Sequence, residues 1–201
     1  MRVEGGVLAI LLLVGIVGGA QGAELLPTWG LTTADRAVLE LAGGCSVYRL
    51  WPGDAGTRAD DPLKLEDDEV TKRDGVLRLH NVTCPTMTLF RSKNPDGRCV
   101  LVYPGGAYNI LAADHEGVQV AKWLNRQGIT VFLVKYRVPR RKEHTKHHVA
   151  LQDAQRSIRL VRSQAGTFGI DPDQIGPHGF SAGRHLKLSK HTSTGVPAHD
   201  P

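Results

Sequence analysis

One serine in this chain stands where a hydroxyl can be made reactive. Gly179-Phe180-Ser181-Ala182-Gly183 follows the short apolar segment Gln174-Ile175-Gly176 and opens Arg184-His185-Leu186-Lys187-Leu188, which can continue as a helix. Strand, G-x-S-x-G and helix together make a nucleophile elbow. The backbone doubles back at the serine, and glycines at both flanks remove the side chains that would collide there. Ser181 is then lifted clear of its strand, with a helix N-terminus behind it that favours developing negative charge. The chemistry this supports is acyl transfer to the Ser181 hydroxyl.

Such a serine needs donors for the oxyanion that forms on the attacked carbonyl. Tyr103-Pro104-Gly105-Gly106-Ala107-Tyr108 is a glycine-rich turn straight after an apolar run, so its backbone N–H groups face whatever lies beyond the strand end. Backbone N–H groups of this turn, with the N–H of Ala182 directly after the serine as a second donor, are the expected oxyanion hole. Other polar clusters read more plainly. Arg140-Arg141-Lys142-Glu143-His144-Thr145-Lys146-His147-His148 is a solvated basic connection, since a metal site needs ligands on a fixed element with orienting partners. Asp114 is read as a helix N-cap. Glu116 is read as favouring the same helix start, with His115-Glu116 helping to close the loop over the crevice. No C-x-x-C is present, and neither a metal nor a cofactor is expected.

The elements that must hold these groups alternate. Val76–Leu79 and Thr86–Phe90 read as strands, and Cys99–Tyr103 and Ile129–Val134 as buried strands. Glu116–Arg126 reads as a helix ended by Gly128. Val149–Ala165 is amphipathic, with Ala150, Ala154, Ile158 and Val161 on one face. Asp171-Pro172-Asp173 turns the chain into the elbow strand. Strands interleaved with helices predict an α/β fold with a largely parallel sheet, and the chemistry at the carboxyl ends of its strands. Before residue 75 little carries chemistry: a short helix over Ala34–Leu41 capped by Thr33, then charged surface loop from Asp54 to Arg73.

The 201 residues suffice for one domain with a real core, and 41% hydrophobic with 22% charged residues is a globular balance. Aromatics make up only 5%, which argues against stacking platforms for nucleic acid. The net charge of +5 and pI near 9.3 fall on no nucleic-acid motif and read as a solvated basic surface. Arg2, the apolar run Val7–Val17 and the small residues of Ala20-Gln21-Gly22 predict a signal peptide over 1–22, cleaved before Ala23. The mature chain is expected to be secreted or periplasmic, with no membrane contact after cleavage. Cys45, Cys84 and Cys99 permit one disulfide without choosing the pair. The expected divisions are 1–22 signal peptide, 23–74 mostly loop, 75–188 the α/β domain and 189–201 a disordered tail.

Pro104-Gly105-Gly106-Ala107-Tyr108, Asp114-His115-Glu116-Gly117, Val134-Lys135-Tyr136-Arg137-Val138-Pro139, Leu151-Gln152-Asp153-Ala154-Gln155-Arg156, Gly169-Ile170-Asp171-Pro172 and Gly179-Phe180-Ser181-Ala182-Gly183 occur in that order. From about Leu50 to Leu186 the chain closely resembles the exported α/β-hydrolase esterases of the acetyl-xylan-esterase-like and feruloyl-esterase-like branch. The resemblance implies a Ser-His-Asp carboxylic ester hydrolase acting on acyl esters of carbohydrates. It also implies Ser181 as nucleophile, with Gly106, Ala107 and Ala182 as oxyanion donors. The substrate would be a small-molecule or polysaccharide ester.

The departures carry weight too. Ala107 stands where the family has a third glycine, and if that position needs positive φ a Cβ costs about 1 kcal/mol. Pro177 falls in a strand expected to be central, where it removes a ladder donor. Arg184 replaces a small residue. In this fold the triad runs Ser, acid, His along the chain. After Ser181 only His185, His191, His199 and Asp200 are available, on segments with no strand to position them, and His185 is expected to point elsewhere. The chain therefore reads as a partial α/β-hydrolase fold, truncated after the elbow with its C-terminal strands missing. The alternatives to a working esterase are a catalytically inactive fragment and, on charge alone, a basic polysaccharide-binding module.

Overall fold

The computed structural model of the chain describes residues 23–52, 68–142, 145 and 147–189. The signal-peptide reading of 1–22, most of the charged stretch before Arg73 and the tail beyond Ser189 lie outside the described residues. In chain order the elements are β1 (Glu24–Leu25), α1 (Thr33–Ala42), β2 (Ser46–Arg49), β3 (Glu69–Arg73), β4 (Val76–His80), β5 (Thr86–Phe90), β6 (Cys99–Tyr103) and β7 (Leu111–Ala112). A π-helical turn, Asp114–Val118, then runs into α2 (Gln119–Arg126). β8 (Thr130–Lys135), α3 (His148–Ser163), α4 (Ala165–Phe168), β9 (Ile175–Gly179) and α5 (Ala182–Ser189) follow.

Six strands form the main sheet in the order β1-β2-β5-β8-β6-β9, and β3, β4 and β7 form a small antiparallel sheet. The main sheet is mixed rather than largely parallel. β8, β6 and β9 run parallel, as crossover helices require, whereas β1, β2 and β5 pair antiparallel up to β8. The half that carries the elbow is the parallel half. β9 pairs with β6, Pro177 opposite Leu101, and no other strand pairs with β9 among the described residues.

β8 shows why its run is continuously apolar. All its residues are buried, and alternate side chains face different helices. Phe132 meets the ring of Phe168 on α4, edge to face at 5.0 Å. On the opposite face Leu133 lies against Gly117 of the π turn, and Lys135 reaches Asp35 on α1. α3 presents Ala150, Ala154, Ile158 and Val161 to the core, as its spacing predicts.

Residues 23–74, expected mostly as loop, contribute β1, α1, β2 and β3, and β2 joins the main sheet against β5. These strands are too short or too charged to alternate visibly. α1 is capped by Thr32, not Thr33: Thr32 has the extended backbone of a cap, and its hydroxyl accepts from Asp35 N at 3.3 Å while Asp35 accepts from Thr32 N at 3.1 Å. Asp35 is itself buried and also accepts from the Thr86 hydroxyl at 2.7 Å. Cys45, Cys84 and Cys99 are all free thiols, and burial pushes the Cys99 thiol up to about 12. No helix among the described residues is long and apolar enough to cross a membrane.

Three consecutive residues at the end of β8 tie three parts of the fold together. Lys135 Nζ lies 2.6 Å from Asp68 Oδ2 and 3.1 Å from Asp35 Oδ1. The Tyr136 hydroxyl donates to Pro104 O at 2.5 Å. Arg137 donates through Nε and Nη2 to the carboxylate of Asp153 on α3.

Candidate active site

Ser181 is exposed between β9 and α5, with φ 46°, the left-handed value that a sharp strand-to-helix turn imposes. Both flanking glycines are sterically required. A Cβ on Gly179 would lie 2.3 Å from the Gly183 carbonyl, and one on Gly183 would lie 2.1 Å from Tyr103 O. The turn is thus pressed onto the last residue of β6, and Phe180 N donates to Tyr103 O at 3.2 Å. α5 begins at Ala182, so its first N–H groups have no intrahelical acceptor.

The loop after β6 lies against this elbow. A Cβ on Gly105 would be 3.1 Å from Ser181 Cβ and 2.8 Å from Phe180 O. Gly106 has φ 143°, and a side chain there would strike Ile110 O at 2.0 Å. Ala107 and Tyr108 follow at φ 54° and 62°. The carbonyls from Tyr103 to Gly106 are engaged. Tyr103 O accepts from Phe180 N, Pro104 O from the Tyr136 hydroxyl, Gly105 O from Ala112 N, and Gly106 O from Asn109 N and Ile110 N. Gly105 N donates to Glu116 Oε2 at 2.7 Å. Among the described residues, the N–H groups of Gly106, Ala107 and Ala182 donate to no protein acceptor.

Tyr108 closes one side. Its hydroxyl donates to Ala182 O at 3.1 Å and lies 2.8 Å from His185 Nδ1, and burial pushes that phenol up to about 12. His185 is thus held against Tyr108. Its ring meets that of His147 edge to face at 4.8 Å. Burial, and secondarily the neighbouring His185, hold His147 below the ordinary imidazole value. The basic connection is thereby pinned to the site at both ends, since Arg140 N also donates to Tyr108 O at 2.8 Å.

Among the described residues, no side chain hydrogen-bonds the Ser181 hydroxyl, and no group of three His, Cys, Asp or Glu is placed to hold a metal. His191, His199 and Asp200 lie outside the described residues. Asp114 does not cap a helix through its side chain; it is the first residue of the π turn and accepts from His115 N at 2.8 Å. Sequence reasoning placed Glu116 at a helix start but not its bond to Gly105, and it missed the contact of Tyr136 with Pro104. Only the fold brings these residues together, and no local pattern announces them.

The family model BD-FAE matches residues 89–197, so the likeness runs on past Leu186, where the motifs read from the sequence stop. Over 100 residues the chain is 42% identical to an acetylxylan esterase of Xylanibacter ruminicola, covering 50% of this chain and 20% of that protein. Over 88 residues it is 33% identical to endo-1,4-beta-xylanase B of Butyrivibrio fibrisolvens, covering 44% of this chain and 14% of that protein. Among solved structures, the acetyl ester-xyloside bifunctional hydrolase of Caldicellulosiruptor lactoaceticus matches with a TM-score of 0.55 at 32% identity, over 76% of this chain and 49% of that one. The chain thus spans a fifth or less of these two curated relatives and about half of the solved one. The mixed sheet with its flanking helices is part of an α/β-hydrolase fold, and with more than half its length matched by the family model the chain belongs to the BD-FAE family.

Proposed function

We infer that the chain carries the nucleophile side of a serine carboxylic-ester hydrolase acting on acyl esters of carbohydrates. The observation that supports this most is the apposition of two left-handed turns: Ser181 at φ 46° beside a loop whose Gly106 and Ala107 N–H groups are unpaired. In this reading Ser181 Oγ bonds to the ester carbonyl carbon, and the carbonyl oxygen takes the negative charge against the N–H groups of Gly106, Ala107 and Ala182. The bond to the alcohol oxygen then breaks, and the hydroxyl proton ends on the leaving alcohol. Water reverses the sequence and releases the acid. Carbohydrate esters are favoured because the acetylxylan esterase of X. ruminicola and the acetyl ester-xyloside hydrolase of C. lactoaceticus are named for such substrates. The apolar run Val7–Val17, followed by Ala20-Gln21-Gly22, supports export.

A serine-reactive fluorophosphonate tests the nucleophile. Labelling of the chain that is lost in Ser181→Ala, together with hydrolysis of an activated acetyl ester, is the expected result. A second reading is a crevice that binds esters without turning them over. It is favoured by the Ser181 hydroxyl having no hydrogen-bond partner among the described residues, because a serine without a base is a weak nucleophile. That reading predicts ester binding with no labelling at all.

A further inference from the structure

The peptide unit joining Pro104 to Gly105 is gripped at both polar ends by side chains. Its carbonyl accepts from the Tyr136 hydroxyl at 2.5 Å, and its N–H donates to Glu116 Oε2 at 2.7 Å. A peptide plane has one rotational freedom relative to its neighbours, and two opposed hydrogen bonds remove it. The two partners come from separate elements: Tyr136 is buried just after β8, and Glu116 sits in the π turn before α2. A π turn inserts an extra residue per turn, which re-aims its side chains relative to a regular helix. Gly105 leaves room for this arrangement, since a Cβ there would lie 2.8 Å from Glu116 Oε2.

The consequence falls on the next two residues. With Gly105 N occupied by Glu116, and the carbonyls of Tyr103, Pro104, Gly105 and Gly106 engaged, the backbone polar group left unpaired across Gly105 and Gly106 is the Gly106 N–H, and the Ala107 N–H follows it. An oxyanion hole works only when its donors are held before the reaction. The Gly106 N–H lies in the next peptide unit, whose carbonyl is held by Ala112 N at 3.0 Å, and the grip sets the Gly105 backbone from which that unit departs.

We propose that Glu116, acting with Tyr136, is the positioning residue of the Gly106–Ala107 loop. It fixes the Pro104–Gly105 peptide so that the following N–H groups are set toward the Ser181 hydroxyl. This rests on the reading of Ser181 as nucleophile and of that loop as its oxyanion hole. Glu116 touches no reacting atom in this role.

The test uses the full chain and saturation kinetics of fluorophosphonate labelling, with amide hydrogen exchange as a second measurement. Glu116→Ala is expected to lower the limiting labelling rate by about 10- to 100-fold with little change in the half-saturating concentration. Glu116→Gln, whose amide oxygen still accepts from Gly105, is expected to stay within about threefold of wild type. Tyr136→Phe, which removes only the hydroxyl, should fall between them. Equal rates in Glu116→Ala and wild type overturn the proposal, as does Glu116→Gln failing as badly as Glu116→Ala. Amide exchange reads the grip whether or not Ser181 reacts. The Gly105 N–H of the wild-type chain is expected to exchange at least about tenfold more slowly than the N–H of Ala107. A Gly105 amide as fast as its neighbour overturns the proposal without any variant having to fold. A wild-type chain that protects Gly105 yet does not label would instead sink the nucleophile reading, so the two failures are distinct.

Discussion

Arg137 and Asp153 face each other as fork and carboxylate, 1% and 0% exposed, with Arg137 Nε and Nη2 and the Arg137 backbone N–H all donating to Asp153. Trp51 Nε1 adds a further donor at 2.7 Å, and the Trp51 ring lies 5.9 Å from the guanidinium. The Asp153 carboxylate thus ties the end of β8, the helix α3 and the segment after β2 to one point. Removing one partner leaves the other charge buried and uncompensated. Asp153→Ala is therefore expected to cost about 3–5 kcal/mol, read from urea unfolding. A loss below about 1 kcal/mol would show that the pair is dispensable.

The elbow and its neighbouring loop respond oppositely to a single methyl group. Gly183→Ala would drive a Cβ to 2.1 Å from the Tyr103 carbonyl, which is backbone and cannot step aside. It is expected to cost about 3 kcal/mol or more. Ala107→Gly should do the reverse, because Ala107 already sits at φ 54° and bears the cost of a Cβ in the left-handed region. A gain of up to about 1 kcal/mol is expected. Gly106→Val meets Ile110 O at 2.0 Å and should abolish both the loop conformation and any acyl transfer. Thermal unfolding of the three variants orders them, and a destabilised Ala107→Gly would count against the steric account.

How legible each element was depends on whether its cause is local. β5 and β6 match the runs read from the sequence, and α3 presents the face its spacing predicts, because burial of an apolar pattern is written in consecutive residues. Gly179, Ser181 and Gly183 were legible because the turn's own sterics select them. β7 is only Leu111–Ala112, and β3 is Glu-Val-Thr-Lys-Arg with one apolar residue; both exist through pairing with β4 rather than through any period of their own. The antiparallel half of the sheet depends on which strands meet, which no run of residues encodes. Lys135, Arg137 and Glu116 look like ordinary polar residues, since their partners lie on other elements.

Acid should weaken the fold in two separable stages. Burial, then the charge of His185, lower the His147 value, so the unfolded chain takes the proton first as pH falls. Its contribution is whole above 6.5 and is lost as pH drops from 6.5 through the folded value. Asp114 titrates later. Burial alone would raise it, but hydrogen bonds from His115 and the backbone outweigh that and leave it below 3.8, so its contribution is present above 3.8 and lost as pH falls through the folded value. His147→Asn is expected to flatten the melting temperature between pH 7.5 and about 5 and leave the drop below about 4 untouched. An unchanged upper limb would show that the His147–His185 contact carries no linkage.

The alkaline limb belongs to Lys135. Burial opposes its charge, yet Asp35 at 3.1 Å and Asp68 at 2.6 Å outweigh that and raise it above 10.5. A raised folded value means the stabilisation is complete below 10.5 and is lost as pH rises through the folded value. One ammonium serves two buried carboxylates, with the Thr32 hydroxyl accepting from it at 2.7 Å, and Asp68 Oδ1 has no partner among the described residues. Lys135→Met leaves both carboxylates without a cation and should cost about 3–5 kcal/mol. Most of that cost is the stranded charge rather than the lost attraction. Adding Asp68→Asn to Lys135→Met should therefore recover part of the loss, so the double variant is more stable than the sum of the singles by at least about 1 kcal/mol. Urea unfolding of the two singles and the double gives the coupling directly. Strict additivity would mean that Lys135 and Asp68 do not share one buried charge site.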